Sequence, residues 1–247
     1  MTAYLGEFIG TAILLLFGSG VVANVSLKNT LATGQTPWVL ITTGWGLAVF
    51  IAVYCVGDMS GAHLNPAVSL ALALAGKFSW NLLPGYVLAQ LIGAMIGAFL
   101  SYSLYKSHVD ATEDEDAVKG MFCTGPAMPN TARNLFSEIL GTFVLVFAIF
   151  RLTSPTLSFE NETATVFGLG SIGALPVGLL VWAIGMSLGG TTGYAINPAR
   201  DFGPRIVYAF LPRKNKKPDW GYSWIPVVGP LVGAAFATLL NSLLNSL

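Results

Sequence analysis

The chain has 247 residues, 54% of them hydrophobic and only 10% charged, with 12 Lys and Arg set against 12 Asp and Glu. Its mean hydropathy is +0.68. So little charge lies far below the roughly 25% of soluble domains and marks an integral membrane protein, while zero net charge offers nothing to nucleic acid.

In chain order, Tyr4 to Val25 is the first membrane span, charged only at Glu7. It starts without a basic leader segment or a cleavage site, so it reads as a helix that stays in the membrane. Pro37 to Val56 is the second span, and Asp58 to Leu64 is a loop. Pro66 to Gly76 then has only 11 residues, about 16 Å of helix against a hydrocarbon core of roughly 30 Å. It can cross only half of the bilayer. Asn81 to Tyr105 is the third span, with Gly85, Gly93 and Gly97 suited to a close helix crossing.

Residues 106–132 interrupt the apolar pattern with Asp110, Glu113, Asp114, Glu115 and Asp116, followed by Gly125, Pro126 and Pro129. This is a connector whose charges are expected only to stay solvated. Arg133 to Phe150 and Gly168 to Leu188 are the fourth and fifth spans. Asn197 to Phe210 is a second half-span, Arg213 to Lys217 a basic loop, and Trp224 to Leu244 the sixth span. Cys55 in an apolar run and Cys123 in a polar loop suggest no disulfide. His63 and His108 stand alone, so no metal is expected, and no cofactor is called for.

The two half-spans begin with one sentence written twice. Gly61-Ala62-His63-Leu64-Asn65-Pro66-Ala67-Val68 returns 132 residues later as Gly193-Tyr194-Ala195-Ile196-Asn197-Pro198-Ala199-Arg200. Glu7-Phe8-Ile9-Gly10-Thr11 returns as Glu138-Ile139-Leu140-Gly141-Thr142 at a nearly equal offset of 131. The chain therefore reads as one channel domain, 1–247, built from a first repeat at about 1–105, the connector, and a second repeat at about 133–247. Three crossings per repeat, an odd number, make the repeats inverted about an axis in the membrane plane. The predicted fold is all-α, with six transmembrane helices and two re-entrant half-helices meeting tip to tip at the pore centre.

Asn65 and Asn197 are N-cap residues, each followed by Pro at the first helical position. Non-helical backbone at membrane depth must be buried in protein or line a wet cavity. Gly61, Ala62, His63, Gly193 and Ala195 are therefore expected to line a pore. Two helix N-termini, each equivalent to about half a positive charge, would repel cations there and admit neutral polar solutes. Glu7 and Glu138 are intramembrane carboxylates, a type that suggests an ion relay. Their symmetric placement favours a supporting role, accepting hydrogen bonds from the re-entrant loops.

On the motifs Ser60-Gly61-Ala62-His63-Leu64-Asn65-Pro66-Ala67-Val68 and Gly193 through Pro204, the chain resembles the major intrinsic protein (aquaporin) family over its whole length, and its glycerol-facilitator subgroup in particular. The resemblance implies an hourglass channel in the cell membrane, cytoplasmic N- and C-termini, and a homotetramer with one pore per subunit. The basic 213–217 loop then lies outside, against the positive-inside tendency. The resemblance also places a selectivity constriction at Trp45, Gly185, Tyr194 and Arg200. Gly185 is read as leaving space for solutes larger than water. Trp45 and Tyr194 are read as an apolar corner for a carbon backbone, with Arg200 opposite supplying donors to hydroxyls. Asp201 is a residue that glycerol-conducting relatives carry. The Tyr194 hydroxyl, where such relatives more usually have Phe, is expected to narrow or polarise the constriction.

These residues predict passive conduction of glycerol and similar small uncharged solutes, with water as a second permeant. Undissociated lactic acid, urea, dihydroxyacetone and hydrogen peroxide are alternative cargoes. A coupled secondary transporter also uses inverted repeats and broken helices, but the carboxylates read as buried, Glu7 and Glu138, stand at the starts of full spans and not at the broken segments. Catalysis would need a nucleophile with a base, or a metal, and the sequence contains no such constellation.

Overall fold

A computed structural model describes residues 1–34, 37–153, 155–157, 165–166 and 168–247. Its helices are α1 (Thr2–Ser26), α2 (Pro37–Ser60), α3 (Pro66–Leu74), α4 (Leu83–Leu104), α5 (Lys106–Ala111), α6 (Glu115–Gly120), α7 (Thr131–Arg151), α8 (Leu175–Leu188), α9 (Pro198–Phe210) and α10 (Ile225–Ser246). A 3₁₀ turn, Gly170–Ala174, leads into α8 and completes a 19-residue span. Thr156–Leu157 pairs antiparallel with Thr165–Val166 as a two-residue ladder. Six of these segments are long and apolar enough to cross a membrane. This is an all-α, multi-pass membrane protein with six spans, two half-helices and an inverted repeat.

The half-helices stop for local reasons. After α3, Gly76 adopts φ +69°, and the Lys77 N–H reaches back to the Leu72 carbonyl at 2.9 Å. That is a left-handed C-terminal cap, which glycine enters without steric penalty. α9 ends before Pro212, and the Lys216 ammonium caps the carbonyls of Ala209 and Leu211.

Packing repeats between the halves. α1 lies against α4, and α7 against α10. Each seam is closed by glycines facing backbone: Gly93 and Gly97 against the carbonyls of Phe8 and Ala12, Gly233 against that of Ile139. A Cβ at any of the three would overlap the opposing backbone. Lipid tails give apolar helices no hydrophobic reason to associate, so this close approach is what holds the seams.

The connector departs from the expectation of a solvated linker. It forms α5 and α6, and Val109, Val118, Met121 and Phe122 are buried in a second core with Val22, Leu27, Tyr102 and Tyr208. Asp114 caps α6, accepting from the amides of Asp116 and Ala117 at 2.9 and 3.2 Å. Glu115 is not merely solvated either: it accepts from Arg213 Nε at 2.7 Å and from the Tyr208 hydroxyl at 3.0 Å. Acidic residues at a helix start satisfy first-turn amides and the positive end of the dipole, which turns a charge run into structure. Cys123 is buried rather than wet, and burial pushes its thiol up to about 12.

The seam makes a testable statement. Gly97→Val is expected to lower stability by about 1–3 kcal/mol through overpacking. Gly57→Ala on α2, where a Cβ meets open space, is expected to be neutral or stabilising by up to about 1 kcal/mol. Thermal unfolding of both variants in one detergent checks the contrast.

Candidate functional site

The two half-helices meet. Asn65 and Asn197 cap α3 and α9 with nearly identical backbones, φ −156° in both. Asn65 Oδ1 accepts from the Ala67 amide at 2.9 Å, and Asn197 Oδ1 from the amides of Ala199 and Arg200 at 3.1 and 3.2 Å. Each carboxamide also crosses to the other half: Asn65 Nδ2 donates to the Ile196 carbonyl and Asn197 Nδ2 to the Leu64 carbonyl, both at 2.8 Å. An amide nitrogen carries two hydrogens, so each Asn keeps one N–H for a solute.

The preceding loops are locally strained. Gly61, Ala62 and Leu64 have φ of +79°, +48° and +51°, and Gly193, Tyr194 and Ile196 have +80°, +39° and +42°. The left-handed region costs a non-glycine residue roughly 1–2 kcal/mol. Two carboxylates hold it. Glu7, fully buried, accepts from the Ser60 hydroxyl and the amides of His63 and Leu64 at 2.7, 2.9 and 2.7 Å. Gln90 Nε2 adds a further bond to Glu7 at 2.7 Å. Glu138, also fully buried, accepts from the Thr192 hydroxyl and the amides of Ala195 and Ile196 at 2.7, 3.0 and 2.8 Å.

A cavity of about 180 Å³ runs beside these loops, far above the roughly 10–15 Å³ that one water requires. One wall is apolar, including Leu14, Val49, Val181 and Leu145. The rest of the lining includes Gly61, Ala62, His63, Asn65, Ala195 and Asn197, together with Trp45, Tyr194 and Arg200. His63 lines it while its ring packs on Phe78 and Tyr86, centroids 4.7 and 4.9 Å away, and its Nδ1 lies 3.0 Å from Ser69 Oγ.

Four expectations need correction. Gly193 does not line the cavity; it faces the connector, and a Cβ there would lie 3.3 Å from Thr124 Cγ2. Gly185 leaves no open space: a Cβ would meet Tyr194 Cζ at 2.7 Å, so the phenol ring, itself part of the cavity lining, fills the place of the missing side chain. The Tyr194 hydroxyl is buried without a hydrogen-bond partner among the described residues, in the α2–α8 seam beside Thr42. It therefore neither narrows nor polarises the cavity. Finally, Arg200 does not stand across from Trp45. Its guanidinium lies over the indole, 4.0 Å from the ring centroid, a cation–π arrangement that steadies a desolvated charge. Its side chain makes no hydrogen bond among the described residues.

Sequence reasoning marked Asp201 but missed its partners, Arg205 and Thr124. Asp201 points away from the cavity and pairs with Arg205, Nη2 to Oδ1 at 2.8 Å, both fully buried. Thr124 of the connector donates to the same carboxylate at 2.7 and 2.6 Å. The Asp201/Arg205 spacing of i, i+4 on a helix was a usable signal; Thr124, 77 residues away, gave none. Among the described residues no group of three or more His, Cys, Asp or Glu could hold a metal ion.

The comparisons with known proteins agree over nearly all of the chain. The family description "Major intrinsic protein" matches residues 1–241. The chain belongs to the major intrinsic protein family. Relatives in the family include a probable glycerol uptake facilitator protein of Thermotoga maritima, 48% identical over 98% of this chain and 99% of its own length. The glycerol uptake facilitator protein of Bacillus subtilis is 51% identical over 96% and 82%. Among solved major intrinsic proteins, the aquaglyceroporin from Plasmodium falciparum superposes with a TM-score of 0.79 at 32% identity, covering 96% of this chain and 93% of that one.

Glu138→Gln puts an N–H where an acceptor is needed and leaves a loop donor unpaired. It is expected to cost about 1–3 kcal/mol and to lower flux. An unchanged unfolding temperature in detergent would count against the support assigned to Glu138.

Proposed function

We propose that this chain is a passive, bidirectional channel for glycerol and similar small uncharged solutes, with water as a second permeant, and that it excludes ions. The observation that carries this reading is the Arg200 guanidinium. It is 7% exposed in the lining of a largely apolar cavity, stacked on Trp45, with no side-chain hydrogen bond to the protein among the described residues. Its five donors are left for solute hydroxyls, while the Tyr194 ring and the valine-rich wall suit the carbon backbone. A polyol presents those two faces. Facilitator-named relatives at about half identity and an aquaglyceroporin neighbour support the solute class, and these relatives are channels rather than enzymes.

Ion exclusion follows from charge. Both half-helices turn positive ends toward the centre, and Arg200 adds a full charge. Glu7 and Glu138 are engaged by loop amides and offer no counter-charge to a passing cation. The cytoplasmic placement of both termini and assembly into a homotetramer in the lipid bilayer are part of the same proposal and rest on family resemblance. Two of the four cations in the 213–217 loop have structural duties, Arg213 on Glu115 and Lys216 on helix carbonyls, which accounts for part of the basic charge on the side the charge tendency disfavours.

Purified protein in proteoliposomes is expected to pass glycerol without saturation at low millimolar concentration, independent of a proton gradient and without ionic conductance. Saturation or proton coupling would indicate a carrier. Gly185→Ala should push the Tyr194 ring into the channel and reduce glycerol flux more than water flux. Tyr194→Phe, which deletes only a buried unpartnered hydroxyl, should leave the glycerol-to-water ratio within about twofold and stability unchanged or higher.

A further inference from the structure

The loop that carries the constriction is held from two directions. Glu138 grips Thr192, Ala195 and Ile196 from within the bundle. From behind, the connector supplies a second set of contacts, where the first loop is braced instead by Tyr86 and Gln90 of α4. Thr124 gives its backbone N–H and its hydroxyl to one carboxylate oxygen, Asp201 Oδ2, at 2.7 and 2.6 Å. Its carbonyl accepts from Arg205 Nη2 at 2.8 Å, and Arg205 Nε donates to Asp201 Oδ1 at 2.8 Å. The Thr124 methyl lies against Gly193. Three residues on, the Ala127 N–H donates to the Thr191 carbonyl at 2.9 Å. Thr124, Asp201 and Arg205 are all buried, with Asp201 and Arg205 fully so.

Asp201 directly follows Arg200 in the first turn of α9, and Gly193 directly precedes Tyr194. The strut therefore touches the neighbours of two constriction residues at once. At the position 132 residues before Asp201 stands Ser69, which bonds Gln90 and His63 inside the bundle and never meets the connector. Among the described residues, bracing by the connector is confined to the end that carries Tyr194 and Arg200.

We propose that Thr124 is a positioning residue of the constriction, and that the connector segment Cys123–Met128 sets the upper size of solute by fixing the wall formed by Tyr194 and Arg200. The proposal rests on the reading of the chain as a solute channel. Thr124 touches no solute; it acts through Asp201 and Gly193. Loss of its hydroxyl leaves the fold intact, because Asp201 keeps Arg205 and the Thr124 backbone N–H, but frees the loop to yield to a bulkier solute.

The test compares wild type, Thr124→Val, Thr124→Ser and Ala127→Pro in proteoliposomes, with two readouts. Hydrogen–deuterium exchange of residues 191–196 reports the strut without reference to any solute. Flux of a five-carbon polyol relative to glycerol reports the size limit. Thr124→Val is expected to speed exchange of the loop and to raise the flux ratio, each by roughly two- to tenfold, the range for one net hydrogen bond. Ala127→Pro, which removes the second tether, is expected to shift both in the same direction. Thr124→Ser, which keeps the hydroxyl, should match wild type. Exchange and flux ratio unchanged in Thr124→Val would overturn the proposal, as would a Thr124→Ser variant that behaves like Thr124→Val. A wild type that passes no glycerol would defeat the channel reading alone, since the exchange data would still decide whether the strut holds the loop.

Discussion

Two carboxylates buried in the N-terminal halves of apolar helices hold this structure's functional backbone in place. Left-handed φ values at Ala62, Leu64, Tyr194 and Ile196 would be unfavourable in a free loop, and the amides they turn inward would be orphaned in a medium without water. Glu7 and Glu138 answer both problems: charge-assisted acceptors are roughly twice as strong as neutral ones, and low dielectric strengthens them further. Once the amides point at the carboxylates, the loops' outer edge faces the cavity, and the residues named above can line it. Replace either carboxylate by an apolar residue and the loops have no reason to keep that conformation.

The inverted repeat supplies the scaffold, and the departures from it distinguish its two ends. At the common offset of 132, Ala62 answers Tyr194 and Val68 answers Arg200. The first half thus has a methyl group and an isopropyl group where the second has a phenol and a guanidinium. Backbone, caps and carboxylate clamps are alike at both ends, so the channel's polarity lies in these side chains. His63 answers Ala195 in the opposite sense, but its ring is engaged by Ser69, Phe78 and Tyr86, which keeps it from acting as a second free donor.

Much of this was legible because the constraints are local or repeated. Six long apolar runs and two short ones gave the crossings, and the duplicated Asn-Pro-Ala segments gave the meeting point, since capping chemistry is written in adjacent residues. Helix ends were less legible: α2 runs on to Ser60, through residues read as loop, because burial against α1 carries the helix past the last strongly apolar position. The connector was misread because its acidic residues, taken as a composition, signal solvation, whereas Asp114 and Glu115 act by position, one as a cap and one as a partner for Arg213. Gly185 shows the same limit. A missing side chain tells that something comes close, and only three-dimensional packing tells that the something is Tyr194 rather than a solute.

The placement of Asp201 resolves an apparent contradiction in the charge argument. A carboxylate one residue from Arg200 should neutralise the constriction and open it to cations. It does not face that way. Both of its oxygens are occupied by Arg205 and by Thr124, so its charge closes an internal ion pair and leaves the Arg200 charge uncompensated at the cavity wall. Arg200 in turn is steadied by the Trp45 π-face, which holds a cation without supplying an acceptor that would compete with a solute hydroxyl. A carboxylate partner for Arg200 would have stabilised the guanidinium more strongly and consumed the donors that a polyol needs. An aromatic face holds the charge while leaving its hydrogen bonds unmade, which suits a neutral, hydroxyl-bearing permeant.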